Sequence, residues 1–82
     1  MKTGLLWFDD DPRRQVEEKV MRAATYYERK YGQAPNLCFV HPSTLDGNGK
    51  QGQLCTNGVK VRSGRSILRD HFWLGINETM KQ

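Results

Sequence analysis

GLLWFDDDPRRQVEEKVMRAATYYERKYGQAPNLCFV, residues 4–40, holds two short apolar runs on either side of a segment with helical periodicity. The runs at 5–8 and 37–40 are rich in strand-forming residues and are bounded by Gly, Pro and Asn. Neither run alternates with polar residues, which is typical of strands that are buried on both faces. A helix between two such strands predicts a right-handed β-α-β unit.

The helix is predicted to begin at Pro12, because proline suits the first helical position and Asp11 before it suits the N-cap. Gly32 followed by Pro35 predicts its end. The apolar side chains recur at three- and four-residue steps, which indicates one buried helix face. They are Val16, Val20, Ala23, Ala24, Tyr27 and Tyr31.

A β-hairpin is predicted from QLCTNGVKVRS, residues 53–63, because the Asn-Gly pair at 57–58 suits a two-residue type I′ turn. This register places Leu54 opposite Val61 on one face and turns Lys60 to the other. The turn type and the alternation of apolar residues therefore agree.

The last apolar block, SILRDHFWLGI at 66–76, predicts a strand from about Phe72, preceded by a turn at 69–71. A short helix over 67–71 is the alternative. Trp73 is expected in the core. STLDGNGKQG, residues 43–52, predicts a surface loop, and the chain after Ile76 is expected to fray.

These elements predict a small α/β domain over residues 1–82, in the order strand, helix, strand, hairpin, strand, with one main helix on one sheet face. The length of 82 residues allows one core only. With 37% hydrophobic and 27% charged residues, the composition is that of an ordinary globular protein. No secretory or membrane-spanning segment is recognised, so the two cysteines are expected to be thiols in the cytoplasm.

Three consecutive acids follow the first strand, and they raise the hypothesis of a metal-dependent phosphodiester hydrolase. Asp9 and Asp10 leave that strand at the edge where His41 leaves the second, so the three side chains converge if the strands are neighbours. The carboxylates would bind Mg²⁺ or Mn²⁺, and His41 would act as a general acid or base. The alternative is structural, with the acids favouring the positive end of the helix.

The excess positive charge lies in the second half of a chain whose net charge is +4. Lys60, Arg62, Arg65 and Arg69 predict a basic surface for nucleic acid or another phosphate-bearing partner, bound without cofactor or catalysis. An exposed tryptophan, Trp73 or Trp7, would extend this surface into a groove for single-stranded nucleic acid. This binding function is the preferred hypothesis.

The sheet has two apolar faces and only one long helix to cover them, which predicts a homodimer. The single long helix buries one side of the sheet, and a C-terminal block that joins the sheet as a strand adds apolar surface to the other side. A large exposed apolar patch usually becomes an interface. The third hypothesis is therefore a protein-interaction or dimeric accessory domain, with the face that carries no helix at its centre.

APNLCFVHPS and SILRDHFWLGI together resemble paired signatures of a family of small uncharacterised bacterial proteins, over nearly the whole chain. That family implies no activity. LLWFDDDPRRQVEEKV resembles the opening strand, acidic turn and helix of the small ferredoxin-like CRISPR-associated nucleases, over less than half of the chain. This second resemblance implies that one acid at 9–11 binds a metal, but the remaining sequence departs from that family's second helix and closing strand.

Overall fold

The computed structural model describes residues 4–45 and 53–77. Within them, five strands form one mixed sheet in the order β1-β5-β2-β4-β3. The elements in chain order are β1 (Gly4–Phe8), α1 (Val16–Tyr31), β2 (Leu37–Val40), α2 (Pro42–Leu45), β3 (Gln53–Thr56), β4 (Val59–Ser63) and β5 (His71–Gly75). The predicted α/β domain with one main helix is confirmed.

β5 lies in the middle of the sheet, between β1 and β2, and it is antiparallel to both. β1 and β2 therefore point the same way but are not neighbours. The hydrolase hypothesis required them to be neighbours. Phe72 and Leu74 are fully buried on one side of β5, and Trp73 is half-buried on the other. A strand that is apolar on both faces suits this central position.

α1 begins at Val16, so the prediction of a helix from Pro12 with Asp11 as its N-cap is wrong. Gln15 occupies the N-cap position and makes no side-chain cap hydrogen bond. Asp11 instead accepts the backbone N–H of Arg13, which holds a separate turn ahead of the helix. No helix within residues 4–45 and 53–77 combines the length and apolar character needed to cross a membrane.

The C-terminus of α1 agrees with the sequence. Gly32 has a φ of 77°, and its N–H donates to the carbonyl of Glu28 at 2.8 Å. This left-handed residue closes the last turn at little conformational cost because glycine has no Cβ.

The core lies between α1 and one face of the sheet, as the helical period predicted. Burial, reinforced by the neighbouring Tyr31, raises the pKa of the Tyr27 phenol above its usual value, so the ring stays neutral there. The buried side chains at this interface are Val16, Val20, Ala23, Ala24, Tyr27, Cys38, Val40, Val59, Val61, Phe72 and Leu74.

The opposite side of the sheet, called the helix-free face below, carries no helix among the described residues and is only partly covered. Leu37 is buried on this face, opposite Lys60 in the register. Leu6 is 60% exposed and Phe8 is 56% exposed. Trp73 also lies on this face, so its expected place in the core is corrected: alternation along β5 turns it away from the helix. Its ring occupies the space where a Cβ at position 4 would lie, which explains the glycine there.

The predicted hairpin is confirmed. Asn57 and Gly58 have φ values of 49° and 84°, as a type I′ turn requires, and Leu54 pairs with Val61. The predicted loop at 43–52 begins instead with the end of α2, whose Leu45 is buried. Residues 46–52 and the predicted fraying segment 78–82 lie outside the described residues.

Candidate functional site

The acid turn, residues 9–14, follows β1 and satisfies its central carboxylate locally. One oxygen of Asp11 accepts the backbone N–H of Arg13 at 2.9 Å and lies 3.2 Å from the Nε of the same residue. The other oxygen accepts Nη1 of Arg14 at 2.8 Å. Both oxygens of this carboxylate are therefore engaged by the two arginines that follow it.

Hydrogen bonding lowers the pKa of Asp11. The largest cause is the side-chain hydrogen bond from Arg13, followed by the backbone hydrogen bond from the same residue. These bonds favour the ionised form. Asp11 is therefore a charged partner for arginine and is poorly suited to donate a proton as a general acid.

Asp9 is also held by its own turn. Its Oδ1 accepts the backbone N–H of Asp11 at 3.0 Å and lies 3.8 Å from Nη1 of Arg14. Its backbone N–H donates to the carbonyl of Asp70, just before β5. Asp10 is exposed, whereas Asp9 and Asp11 both face Nη1 of Arg14. An arginine therefore already occupies the point where two of the three carboxylates meet.

The side chain of His41 is hydrogen-bonded to the first turn of α2. Its Nδ1 accepts the backbone N–H of Ser43 at 3.0 Å, and Oγ of Ser43 lies 2.8 Å from the same nitrogen. This nitrogen is thus committed to a local turn. His41 follows β2, and β5 separates it from the acids after β1, so the two strand ends are about 10 Å apart at ordinary strand spacing.

The candidate catalytic residues Asp9, Asp10 and His41 are therefore not brought together. The described part of the chain contains no group of three or more His, Cys, Asp or Glu side chains placed to hold a metal ion. A shallow depression of about 730 Å³ lies beside the acid turn. Carboxylates that are already paired with arginine form part of its wall.

The candidate binding residues lie in two groups. Lys60 and Arg62 are on β4, alternating with buried valines, so both are placed on the helix-free face. Arg65 and Arg69 are exposed and lie in the connection 64–70, which runs from the end of β4 to the start of β5 past the end of β2. All four basic residues therefore lie on this face or along one of its edges.

Strand register places four side chains in a line across the helix-free face. Leu6 pairs with Trp73, Trp73 with Phe39, and Phe39 with Arg62. The rings of Phe39 and Trp73 are 6.5 Å apart at an interplanar angle of 43°. This line, called the aromatic row below, crosses four neighbouring strands and spans about 14 Å.

A second pair of rings lies beside the aromatic row. Phe8 and His71 are paired across β1 and β5, with ring centroids 5.0 Å apart. Trp7, by contrast, points to the helix side, where its ring centroid lies 5.3 Å from that of Tyr26. Trp73 is thus the tryptophan on the helix-free face, and Trp7 does not extend this surface.

A shallow apolar pocket of about 400 Å³ opens next to the aromatic row. Its lining residues are Phe39, Gly64, Ser66, Ile67 and Trp73. The backbone N–H of Gly64 donates to the carbonyl of Val40 at 2.8 Å, which ties the connection 64–70 to the end of β2. The basic connection and the aromatic rings therefore share one continuous surface.

The two cysteines are free thiols in different environments. Burial raises the pKa of the Cys38 thiol to about 12. Cys55 is exposed on β3, opposite Lys60 in the hairpin register. Neither forms part of the aromatic row.

Sequence reasoning identified the basic residues and Trp73 but did not assign binding roles to Phe39, His71 or Ile67. The available signal was the alternation of LCFV, which turns Phe39 away from the buried Cys38 and Val40. No family model, curated protein or solved structure matches the chain.

Proposed function

We propose that this protein binds single-stranded nucleic acid across the helix-free face, without catalysis and with little sequence preference. The observation that supports the proposal is the aromatic row, in which two partly exposed rings and a guanidinium lie in register on neighbouring strands. Single strands bind where aromatic rings stack on bases beside a positively charged groove.

In this proposal, Trp73 and Phe39 stack on successive bases. Both rings are attached to central strands, so little side-chain freedom is lost when a base packs on them. Phe8 and His71 provide a further apolar contact at the same edge of the sheet. The pocket beside Ile67 accepts part of a base that projects from the stack.

The basic side chains contact the phosphates. Lys60 and Arg62 lie on β4, next to the strand that carries Phe39. Arg65 and Arg69 lie in the connection 64–70, at the edge of the face where the nucleic acid would run off the sheet. Each phosphate contact on a single strand contributes about 0.7 to the slope of log affinity against log salt. The net charge of +4 adds a general attraction of the same sign.

The test compares two double variants that remove equal charge. A labelled mixed-sequence oligonucleotide of about 12 nucleotides suits the usual site size, and fluorescence anisotropy reports its binding. Replacing Arg65 and Arg69 with glutamine is expected to reduce the salt slope by about 1.4. Arg22 and Arg29, which are exposed on α1, are replaced with glutamine in the matched control. This control should leave the salt slope nearly unchanged.

Equal losses in the two double variants would show general charge attraction and would reject the helix-free face as the binding site. Undetectable binding at low salt would reject the function itself.

A homodimer across the helix-free face is the second candidate, favoured by the exposure of Leu6 and Phe8 on that face. Such a dimer would cover the aromatic row, so nucleic acid and self-association would exclude each other. Light scattering with increasing oligonucleotide separates the candidates. If the face serves only self-association, the mass stays at twice 9.5 kDa, and if nucleic acid binds there, the oligonucleotide splits the dimer.

A further inference from the structure

Among the described residues, no strand pairs with the outer edge of β1. The backbone N–H of Asp9 donates to Asp70 before β5, and alternate residues of a strand direct their N–H and C=O groups to opposite sides. Leu6 and Phe8 therefore direct these groups away from β5, as does Gly4.

The sequence of β1 lacks three features that often prevent strand pairing: charge, proline and a bulge. GLLWF contains no charged residue and no proline, and its pairing with β5 runs through five consecutive pairs without a bulge. An apolar, regular edge strand readily accepts another strand by β-augmentation.

We propose that the free edge of β1 pairs antiparallel with β1 of a second copy of this chain, joining two five-stranded sheets into one. Complete overlap of the five residues sets Leu6 opposite Leu6 of the second copy, and Phe8 opposite Gly4. Every outward-directed N–H and C=O group then meets another outward-directed group, as antiparallel hydrogen-bonded pairs require.

Side-chain volume supports the same register. Phe8, the bulkiest exposed residue of the strand, lies opposite Gly4 of the second copy, beside the Trp73 ring that covers this glycine. An aromatic ring over an edge glycine is a stabilising cross-strand arrangement. The hydroxyl of Tyr31 lies 3.3 Å from the carbonyl of Gly4, and that carbonyl keeps a second lone pair for the new strand.

The twofold axis of this dimer passes midway between the two Leu6 residues, perpendicular to the sheet. Both copies of α1 then lie on one side, and both helix-free faces lie on the other as one continuous surface. Phe39 and Arg62, which lie two and three strands from the paired edge, are not covered by this pairing. The inference is therefore independent of the proposed nucleic-acid binding, and it differs from a dimer that packs face to face.

Disulfide trapping tests the register directly. In a Cys55→Ser background, Leu6→Cys places two thiols on a hydrogen-bonded pair whose Cα atoms are about 5.5 Å apart, within disulfide range. Phe8→Cys is the matched control, because the two new cysteines would lie about 14 Å apart along the strands. Mild oxidation should give a species of twice 9.5 kDa for Leu6→Cys only. Equal cross-linking of both variants, or of neither, would overturn the inference.

A backbone variant supplies a second readout. Leu6→Pro removes an N–H that points away from β5, which an edge strand tolerates. Light scattering at tens of micromolar should show a twofold fall in mass relative to the unmodified chain. Leu68→Lys is the control, because it also replaces an exposed leucine but lies outside β1. This variant should leave the dimer intact. A monomeric unmodified chain, or a dimer that survives Leu6→Pro, would contradict edge pairing.

Discussion

The acid turn and the helix-free face differ in how their polar and aromatic groups are used. In the acid turn, residues adjacent in sequence satisfy one another: Asp11 is bound by Arg13 and Arg14, and Asp9 accepts a backbone N–H. On the helix-free face, residues from four strands are aligned by register, and their rings remain partly exposed.

The difference has a physical origin. Charges of opposite sign that lie two or three residues apart reach each other within a single turn, so a dense cluster in sequence tends to neutralise itself. Rings on separate strands point in the direction that the pleat gives them and stay available to a ligand. A conspicuous sequence motif is therefore weaker evidence for binding than an aligned row of exposed side chains.

The largest expected effect concerns the aromatic row. Trp73→Leu keeps an apolar side chain over Gly4 but removes the stacking surface. Because a stacked base contributes about 1–3 kcal/mol, affinity for a single-stranded oligonucleotide should fall roughly 5- to 150-fold. Anisotropy titration measures the loss, and an unchanged unfolding midpoint confirms that the variant is folded.

Tyr26→Leu is the matched control for this prediction. Its ring is 47% exposed on α1, on the side away from the aromatic row. The control should bind as the unmodified chain does. A comparable loss in both variants would contradict a specific role for Trp73 and would remove the contrast between the helix-free face and the rest of the surface.

Much of the fold could be predicted from local sequence, because the relevant signals act over a few residues. Apolar spacing placed the buried face of α1, Gly32 ended the helix, and the Asn-Gly pair set the hairpin register. The start of α1 could not be predicted in this way. Both Asp11 and Gln15 precede possible first turns, and the bond from Arg13 to Asp11 decides between them.

The position of β5 required long-range information. The sequence indicates a strand near Phe72, but nothing local tells whether it adds to an edge or inserts between β1 and β2. That single choice separates His41 from Asp9 and aligns Trp73 with Phe39. Strand order therefore decides both that the candidate metal ligands are separated and that the aromatic row is aligned. Spacing along the chain does not specify this order.

A smaller effect is expected in the acid turn, through the ionisation of Asp11. Its pKa lies below the usual 3.8, so the ionised form stabilises the folded state. This contribution is fully present above the unfolded pKa and is lost as pH falls through the lowered folded pKa. Asp11→Asn should therefore be less stable than the unmodified chain near neutral pH, and the difference should shrink below about pH 4.

Urea denaturation at neutral and acidic pH measures this difference. Asp10→Asn, an exposed neighbour of the same charge, is the control and should change the midpoint less. A stability gap for Asp11→Asn that stays constant down to strongly acidic pH would show that the carboxylate charge is not what holds the turn.

The smallest expected effect is the response to Mg²⁺. A metal site saturated at 100 times its dissociation constant would stabilise the protein by about 2.7 kcal/mol. The acid turn offers little to such an ion, because Asp11 is bound by two arginines and His41 is committed two strands away. Millimolar MgCl₂ should therefore raise the unfolding temperature no more than NaCl of equal ionic strength. A rise specific to Mg²⁺ that disappears in Asp10→Asn would show that the acids do assemble around a metal, and the contrast between a self-satisfied turn and an open face would then fail.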